Sequence, residues 1–128
     1  MNEFRLYLYG PSKGPIENSF EEAQTRLSLL PRLYFEPDGS FVWASDGGRQ
    51  QVFGMIYDAA GKIQYAELQG RCDLQVWQQL IEAISGGKSP DCQILRLPDQ
   101  RMQNLQSFES EHWPAGFQDS GEISKEKK

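Results

Sequence analysis

Two consecutive hairpins are encoded in residues 32–69, which read RLYFEPDGSFVWASDGGRQQVFGMIYDAAGKIQYAELQ. Runs rich in aromatic and β-branched residues alternate there with short turns of proline, aspartate and glycine, a pattern typical of strands joined by tight turns. The first predicted hairpin pairs strands over 32–36 and 40–44 around the turn 37–39. Proline suits the first bend of that turn, and glycine supplies the positive φ that follows it. This segment therefore begins an antiparallel meander.

The second hairpin follows a turn over residues 45–48 and pairs strands over 51–57 and 62–69. Its own turn, 58–61, again ends in glycine. If both glycines form a bulged turn, the residues that flank each turn become cross-strand neighbours. The neighbours predicted in this way are Phe35 with Phe41 and Tyr57 with Ile63. The strand over 51–57 is apolar at nearly every position, so we expect it to lie inside the sheet.

Further elements flank the meander on both sides. Residues 4–9 alternate in character, which predicts a strand with Phe4, Leu6 and Leu8 on its core face. The remaining elements are a helix capped by Ser19 and ended by Pro31, a helix capped by Asp73 and ended by Gly86-Gly87, and a short strand over 93–97.

The element order is therefore β-α-β-β-β-β-α-β, which indicates an α+β fold. We expect a single antiparallel sheet, in which the N- and C-terminal strands join the four-stranded meander, with two helices packed on one face. Residues 1–98 form this single α+β domain. Residues 99–128 are polar and are predicted to be a largely flexible C-terminal extension, of which 112–117 can dock on the domain because it contains two aromatic residues.

A sheet that is covered on one face leaves aromatic side chains exposed on the other. Tyr7 and Tyr9 lie opposite the aliphatic face of the first strand, and Tyr34 lies opposite its apolar neighbours in the second. Together with Trp113, these tyrosines are the predicted interaction surface, since exposed aromatic patches mark protein interfaces. The alternative is that segment 112–117 folds back and covers them.

The charge of the chain argues against two classes of partner. Its 128 residues carry a formal net charge of −5, and no basic run is present. Phosphate backbones and anionic bilayers repel such a chain, so we expect it to bind neither nucleic acid nor a membrane.

The sequence also lacks the pattern of a signal peptide and any apolar run of membrane-spanning length, which predicts a cytoplasmic location. Cys72 and Cys92 fit neither a redox pair nor a zinc site, and we expect free thiols.

Each motif that could carry chemistry has a simpler structural explanation. The sequence Gly86-Gly87-Lys88-Ser89 resembles the end of a phosphate-binding loop, but Glu82 stands where that motif needs glycine, and a helix precedes it. His112, the single histidine, lies in the polar extension and is expected at the surface. Glu67 lies among apolar residues, and an outward-facing position is expected for it. The sequence predicts no catalytic residue, metal site or cofactor.

Three functions remain open. The leading hypothesis is a non-enzymatic module that binds another protein through its aromatic surface. The first alternative is a small-molecule-binding domain or weak enzyme with a site near the loops at 10–14 and 45–49. The second is an acidic inhibitor or immunity-type protein that binds a basic partner, which predicts acids gathered on one face.

Overall fold

One seven-stranded antiparallel sheet carries helices on one face in the computed structural model, which describes residues 2–115. Its strands are β1 (Phe4–Tyr9), β2 (Leu33–Phe35), β3 (Ser40–Ala44), β4 (Gln51–Ala59), β5 (Lys62–Arg71), β6 (Gln93–Arg96) and β7 (Arg101–Asn104). Its helices are α1 (Phe20–Ser28), α2 (Leu74–Ser85) and α3 (Leu105–His112). Across the sheet the strand order is β2-β3-β4-β5-β1-β6-β7, with β4 inside the sheet as expected. Within the described residues no helix is both long enough and apolar enough to cross a bilayer.

The predicted helix caps are confirmed. The Ser19 hydroxyl accepts a hydrogen bond from the amide of Glu22, at 3.1 Å, and fixes the start of α1. Asp73 does the same for α2 by accepting from the amide of Val76, at 2.9 Å. The end of α2 is set by Gly86, whose left-handed φ of 67° suits glycine.

The two hairpins differ in how their turns close. In the first, Phe35 pairs with Phe41, as predicted. In the second, the predicted pairing of Tyr57 with Ile63 is wrong, because Tyr57 pairs with Tyr65 and the irregularity lies inside the strands. Ala60 and Gly61 both have positive φ and form a two-residue turn, so β4 and β5 continue further than the sequence indicates. Ile63 therefore lies on the buried side, with no exposed surface.

The core lies between the helices and the side of the sheet that we call the covered face. Leu6 and Leu8 of β1 and Leu68 of β5 have no exposed surface, and Trp77 of α2 is equally buried. Helix α1 packs on the same side, where the ring of Phe20 lies 5.7 Å from that of Phe35 on β2, which in turn stacks on Phe41. The aromatic and aliphatic side chains that face the helices thus form one continuous core.

The C-terminal segment differs from the prediction of a flexible extension over 99–128. Strand β7 pairs antiparallel with β6, and α3 buries Leu105 and Phe108 against the covered face. The ring of Phe108 lies 5.2 Å from Trp77 and 6.5 Å from Phe4. Two apolar anchors and a pairing edge are sufficient to order an otherwise polar segment. The predicted flexible residues 116–128 lie outside the described residues.

Candidate functional site

The candidate site is the face of the sheet opposite the helices, which we call the open face. Strand pairing arranges its side chains in rows that run across the sheet. The middle row reads Ser40, Met55, Glu67, Tyr7, Leu95 and Met102. The row on one side reads Tyr34, Val42, Phe53, Gln69 and Arg5. These rows are apolar over most of their length.

Three tyrosines, Tyr57, Tyr65 and Tyr9, lie in the third row, and with Tyr7 of the middle row they form what we call the tyrosine cluster. Tyr57 and Tyr65 pair across β4 and β5, with ring centroids 4.7 Å apart. Tyr65 lies 5.5 Å from Tyr9 and 5.4 Å from Tyr7. The ammonium group of Lys13 lies 5.8 Å from the centroid of the Tyr9 ring, at the end of the cluster. Each ring is therefore held in place by at least one other.

The exposure of large apolar side chains is concentrated on this face. Tyr34 is 73% exposed and Phe53 is 53% exposed, and Tyr57 and Met102 are exposed as well. Among residues 2–115, Leu29 at the end of α1, which is 79% exposed, is the large hydrophobic residue of this kind that lies elsewhere. Isolated exposed hydrophobic residues are ordinary, but a contiguous group on one face is typical of an interaction site.

A shallow depression of about 200 Å³ interrupts the middle of the open face, between β4 and β5. Phe53 and Gln69 border it on one side and Met55 and Glu67 on the other. The Glu67 side chain is 26% exposed, and its Oε2 lies 3.7 Å from Nε of Arg5, a distance longer than a hydrogen bond. Arg5 and Glu67 are the charged residues of the three rows, and their charges balance.

The hydroxyls of Tyr9 and Tyr57 remain protonated at neutral pH. Burial raises the pKa of Tyr9 above its ordinary value, and the neighbouring tyrosines Tyr65 and Tyr7 add to the rise. Burial also raises the pKa of Tyr57, with further contributions from Glu67 and the tyrosines. Tyr9 and Tyr57 therefore offer neutral aromatic surface and hydrogen-bonding hydroxyls rather than nucleophiles or charges.

The structure places three of the four candidate residues from the sequence on this face. Tyr7 and Tyr9 are adjacent in the tyrosine cluster, with rings 6.5 Å apart, and Tyr34 lies on the edge strand β2. Trp113 does not join them. It lies on the helix side, where its Nε1 donates to the carbonyl of Cys72, at 3.0 Å, and its ring lies 5.3 Å from Trp77. Within the described residues, segment 112–115 therefore packs away from the tyrosines.

Sequence reasoning missed several members of the open face, including Phe53, Tyr57 and Tyr65. The side of the sheet that these residues face could have been predicted from β5. In that strand Glu67 and Gln69 alternate with buried apolar residues and so mark the side that faces away from the core. The wrong register of the second hairpin concealed this signal, because it grouped Tyr65 with the buried Ile63.

His112 is not the surface histidine that the sequence indicates. It is half-buried, and its ring stacks on Phe108 at 5.3 Å and contacts Trp113 at 4.5 Å. Its Nε2 lies 3.1 Å from the carbonyl oxygen of Asn2. Burial lowers the pKa of His112, so the neutral imidazole is favoured. This environment gives His112 a packing role.

Both cysteines are free, as expected, and both are buried. Burial raises the pKa of Cys72 to about 12, and that of Cys92 to about 11. Because the thiolate is the reactive form, neither side chain is a nucleophile at neutral pH. Within residues 2–115, no cluster of three or more His, Cys, Asp or Glu side chains is placed to hold a metal ion.

Two further concavities lie outside the open face. A groove of about 610 Å³ separates α2 from α3, and its walls carry Gln78, Gln106 and the buried carboxylate of Glu109. A cavity of about 40 Å³ lies beside the loop at 10–14, where the sequence placed an alternative ligand site. That cavity is far smaller than the roughly 300–1,000 Å³ of ligand pockets.

No family model, curated protein or solved structure matches this chain.

Proposed function

We propose that this chain is a non-enzymatic module that binds a protein partner through the open face. The observation that carries the proposal is the position of the exposed large hydrophobic residues: Tyr34, Phe53, Tyr57 and Met102 all lie on the one sheet face that no helix in the described residues covers. A cytoplasmic location is part of the proposal, since the two buried thiols are unpaired, as in a reducing compartment.

The chemistry of this face supports a protein partner. Tyr, Phe and Met are enriched at the centres of protein interfaces, and charged residues are depleted there. The rings of Tyr57, Tyr65 and Tyr9 already contact one another, so little side-chain entropy remains to be lost on binding. The two charges of the rows, Arg5 and Glu67, lie side by side and balance one another.

The test compares two matched sets of substitutions. The double variant Tyr34→Ser, Phe53→Ser removes two exposed rings from the open face, and Leu29→Ser removes an equally exposed side chain from α1. We expect wild type and Leu29→Ser to recover the same protein from a lysate of the source cells, and the double variant to lose it. Recovery of that protein by the double variant, with its fold checked by circular dichroism, would argue against the open face.

A small-molecule ligand in the groove between α2 and α3 is the second candidate function. The observation that favours it is the groove volume of about 610 Å³, with polar side chains converging on the buried Glu109. Substitution of Gln78 by Phe fills this groove from the exposed side of α2. Fragments that shift the NMR signals of the glutamine amides should lose binding in Gln78→Phe, and fragments that bind equally to both proteins would count against the groove.

Binding of a basic partner has less support. In the part of the chain that the structure describes, five acids take part in ion pairs with Arg or Lys, and they lie on different elements. These residues are Glu3, Glu17, Glu22, Glu67 and Glu111. Locally neutralised acids steer a basic protein weakly, because their fields cancel within a short distance.

A further inference from the structure

We propose that the partner of the open face is a second copy of this chain, packed sheet against sheet in a twofold dimer. The inference rests on the proposed function and names the partner. Two antiparallel sheets with apolar faces pack about 10 Å apart, with their strands nearly aligned. The chain has one such face unused, and two copies of it complete a sandwich whose outer layers are the helices.

The size of the face is sufficient for such a dimer. Its seven strands, at a spacing of ~4.8 Å, with ~5 residues of ~3.4 Å each, give a face of roughly 30 by 17 Å, or about 500 Å². Two copies therefore bury about 1,000 Å² in total, which is the lower limit for a specific interface. An interface of this size predicts a dimer that dissociates on dilution.

The pattern of charge favours a second copy over a protein of opposite charge. A twofold contact places each residue of the face against the same set of residues in the other copy, so the face must be self-complementary. Apolar side chains meet this condition in any register. Arg5 and Glu67 lie on neighbouring strands at 3.7 Å, and the exchange of this long ion pair between copies leaves neither of these two charges unpaired.

The edges of the sheet are less suited to association between copies than its open face. The edge strand β2 has three residues and the edge strand β7 has four. Short edge strands present few free backbone groups and resist edge-to-edge pairing. Face-to-face packing is therefore the mode of association that this sheet supports.

The experiment measures the mass of the full chain by sedimentation equilibrium, from about 1 µM to about 500 µM, a range that brackets weak interfaces. We expect wild type and Leu29→Ser to approach twice the monomer mass of 14.6 kDa at the upper end. The variants Phe53→Ser and Tyr57→Ser should remain monomeric and folded, with the fold checked by circular dichroism. Wild type that is monomeric throughout, or a dimer that persists in Phe53→Ser, overturns the proposal.

A second measurement locates the interface without weakening it. A cysteine at Gln69, which is exposed on the open face, should give a covalent dimer with a short bismaleimide, whereas a cysteine at Leu29 should not. The native thiols Cys72 and Cys92 are buried and do not compete. If wild type stays monomeric while substitution of Phe53 still abolishes recovery of a cellular partner, the proposed dimer is wrong and the proposed function stands. If neither association depends on Phe53, both fail.

Discussion

Glu109 of α3 is a buried acid that supplies a hydrogen-bond acceptor to the core. It is 8% exposed, and its Oε2 accepts a hydrogen bond of 2.9 Å from Nε1 of the fully buried Trp77. We expect Glu109→Leu to lower the free energy of unfolding by about 1–3 kcal/mol at pH 7, since it leaves the indole N–H unpaired. Glu109→Gln keeps an amide oxygen as acceptor and should be at least as stable as wild type. Urea unfolding followed by tryptophan fluorescence measures both. A Gln variant as unstable as the Leu variant would contradict the role of the hydrogen bond.

The same residue sets a pH dependence whose sign can be worked out. Burial raises the pKa of Glu109 in the folded state, although the hydrogen bond from Trp77 opposes the rise. The folded state therefore binds more protons, and the contribution of this group to stability is lost as pH rises from its unfolded pKa through its folded pKa. The advantage of Glu109→Gln over wild type should be largest at pH 7 and vanish near pH 4, about the unfolded pKa of glutamate. An advantage that is equal at both pH values would contradict this assignment.

Gly54 is required because of what lies beneath β4 on the covered face. A Cβ added there would overlap the ring of Phe41 on the neighbouring strand. We expect Gly54→Ala to cost about 1–3 kcal/mol, the usual range for overpacking. The control is the same substitution in a Phe41→Leu background, where the smaller side chain leaves room and the cost should fall. Equal costs in both backgrounds, from urea midpoints, would show that the clash is not the cause.

At the residue scale, contacts between residues close in sequence could be predicted, and contacts between distant residues could not. The caps of Ser19 and Asp73 were readable, because a cap depends on residues three positions away. The open side of Tyr7 was readable from strand alternation. Trp113 and His112 were not, since both contact Phe4, more than a hundred positions away in sequence, and Trp113 also packs against Cys72 and Trp77 of distant elements.

At the scale of elements, α3 is the segment whose importance the sequence conceals. Its side chains are mostly polar, and its packing depends on Leu105 and Phe108. Phe108→Ala should cost about 3–5 kcal/mol, as for other buried aromatic residues. Gln106→Ala, an exposed substitution on the same helix, should change stability by less than about 0.5 kcal/mol. Urea unfolding of both variants checks this, and a Phe108→Ala cost as small as that of the control would show that α3 is dispensable.

Composition misjudged β7 and α3 for a physical reason. A strand at the edge of a sheet and a helix with two buried anchors need few apolar residues, so a polar average does not exclude either. A local signal was present: Asn104 caps α3 by accepting from the amide of Ser107, with Leu105 and Phe108 spaced to share a helix face. The register of the second hairpin failed differently, because the positive φ at Ala60 is not a preference of alanine.

At the scale of the molecule, the helices cover one face of the sheet, and this leaves the open face as the candidate binding surface. The helices of residues 2–115 lie on the covered face, and the periodicity of α1 and α2 was enough to predict that. The occupant of the open face was not predictable, since strand alternation identifies an apolar side without saying what it meets. That the charges of Arg5 and Glu67 balance one another could be recognised only from the register, which places the two residues on adjacent strands.

The net charge of the chain gives the last prediction, which distinguishes a second copy from a basic partner. Two chains of formal charge −5 repel one another. At centres about 30 Å apart, raising the salt from about 0.01 M to about 0.1 M shortens the Debye length from about 30 Å to about 10 Å and removes about 1 kcal/mol of repulsion. The dimer Kd should therefore fall roughly fivefold over that range. Sedimentation equilibrium at both salt concentrations measures it, with Leu29→Ser as the control. A Kd that rises with salt would instead indicate net attraction between oppositely charged partners, which the equal net charges of two copies of this acidic chain do not supply.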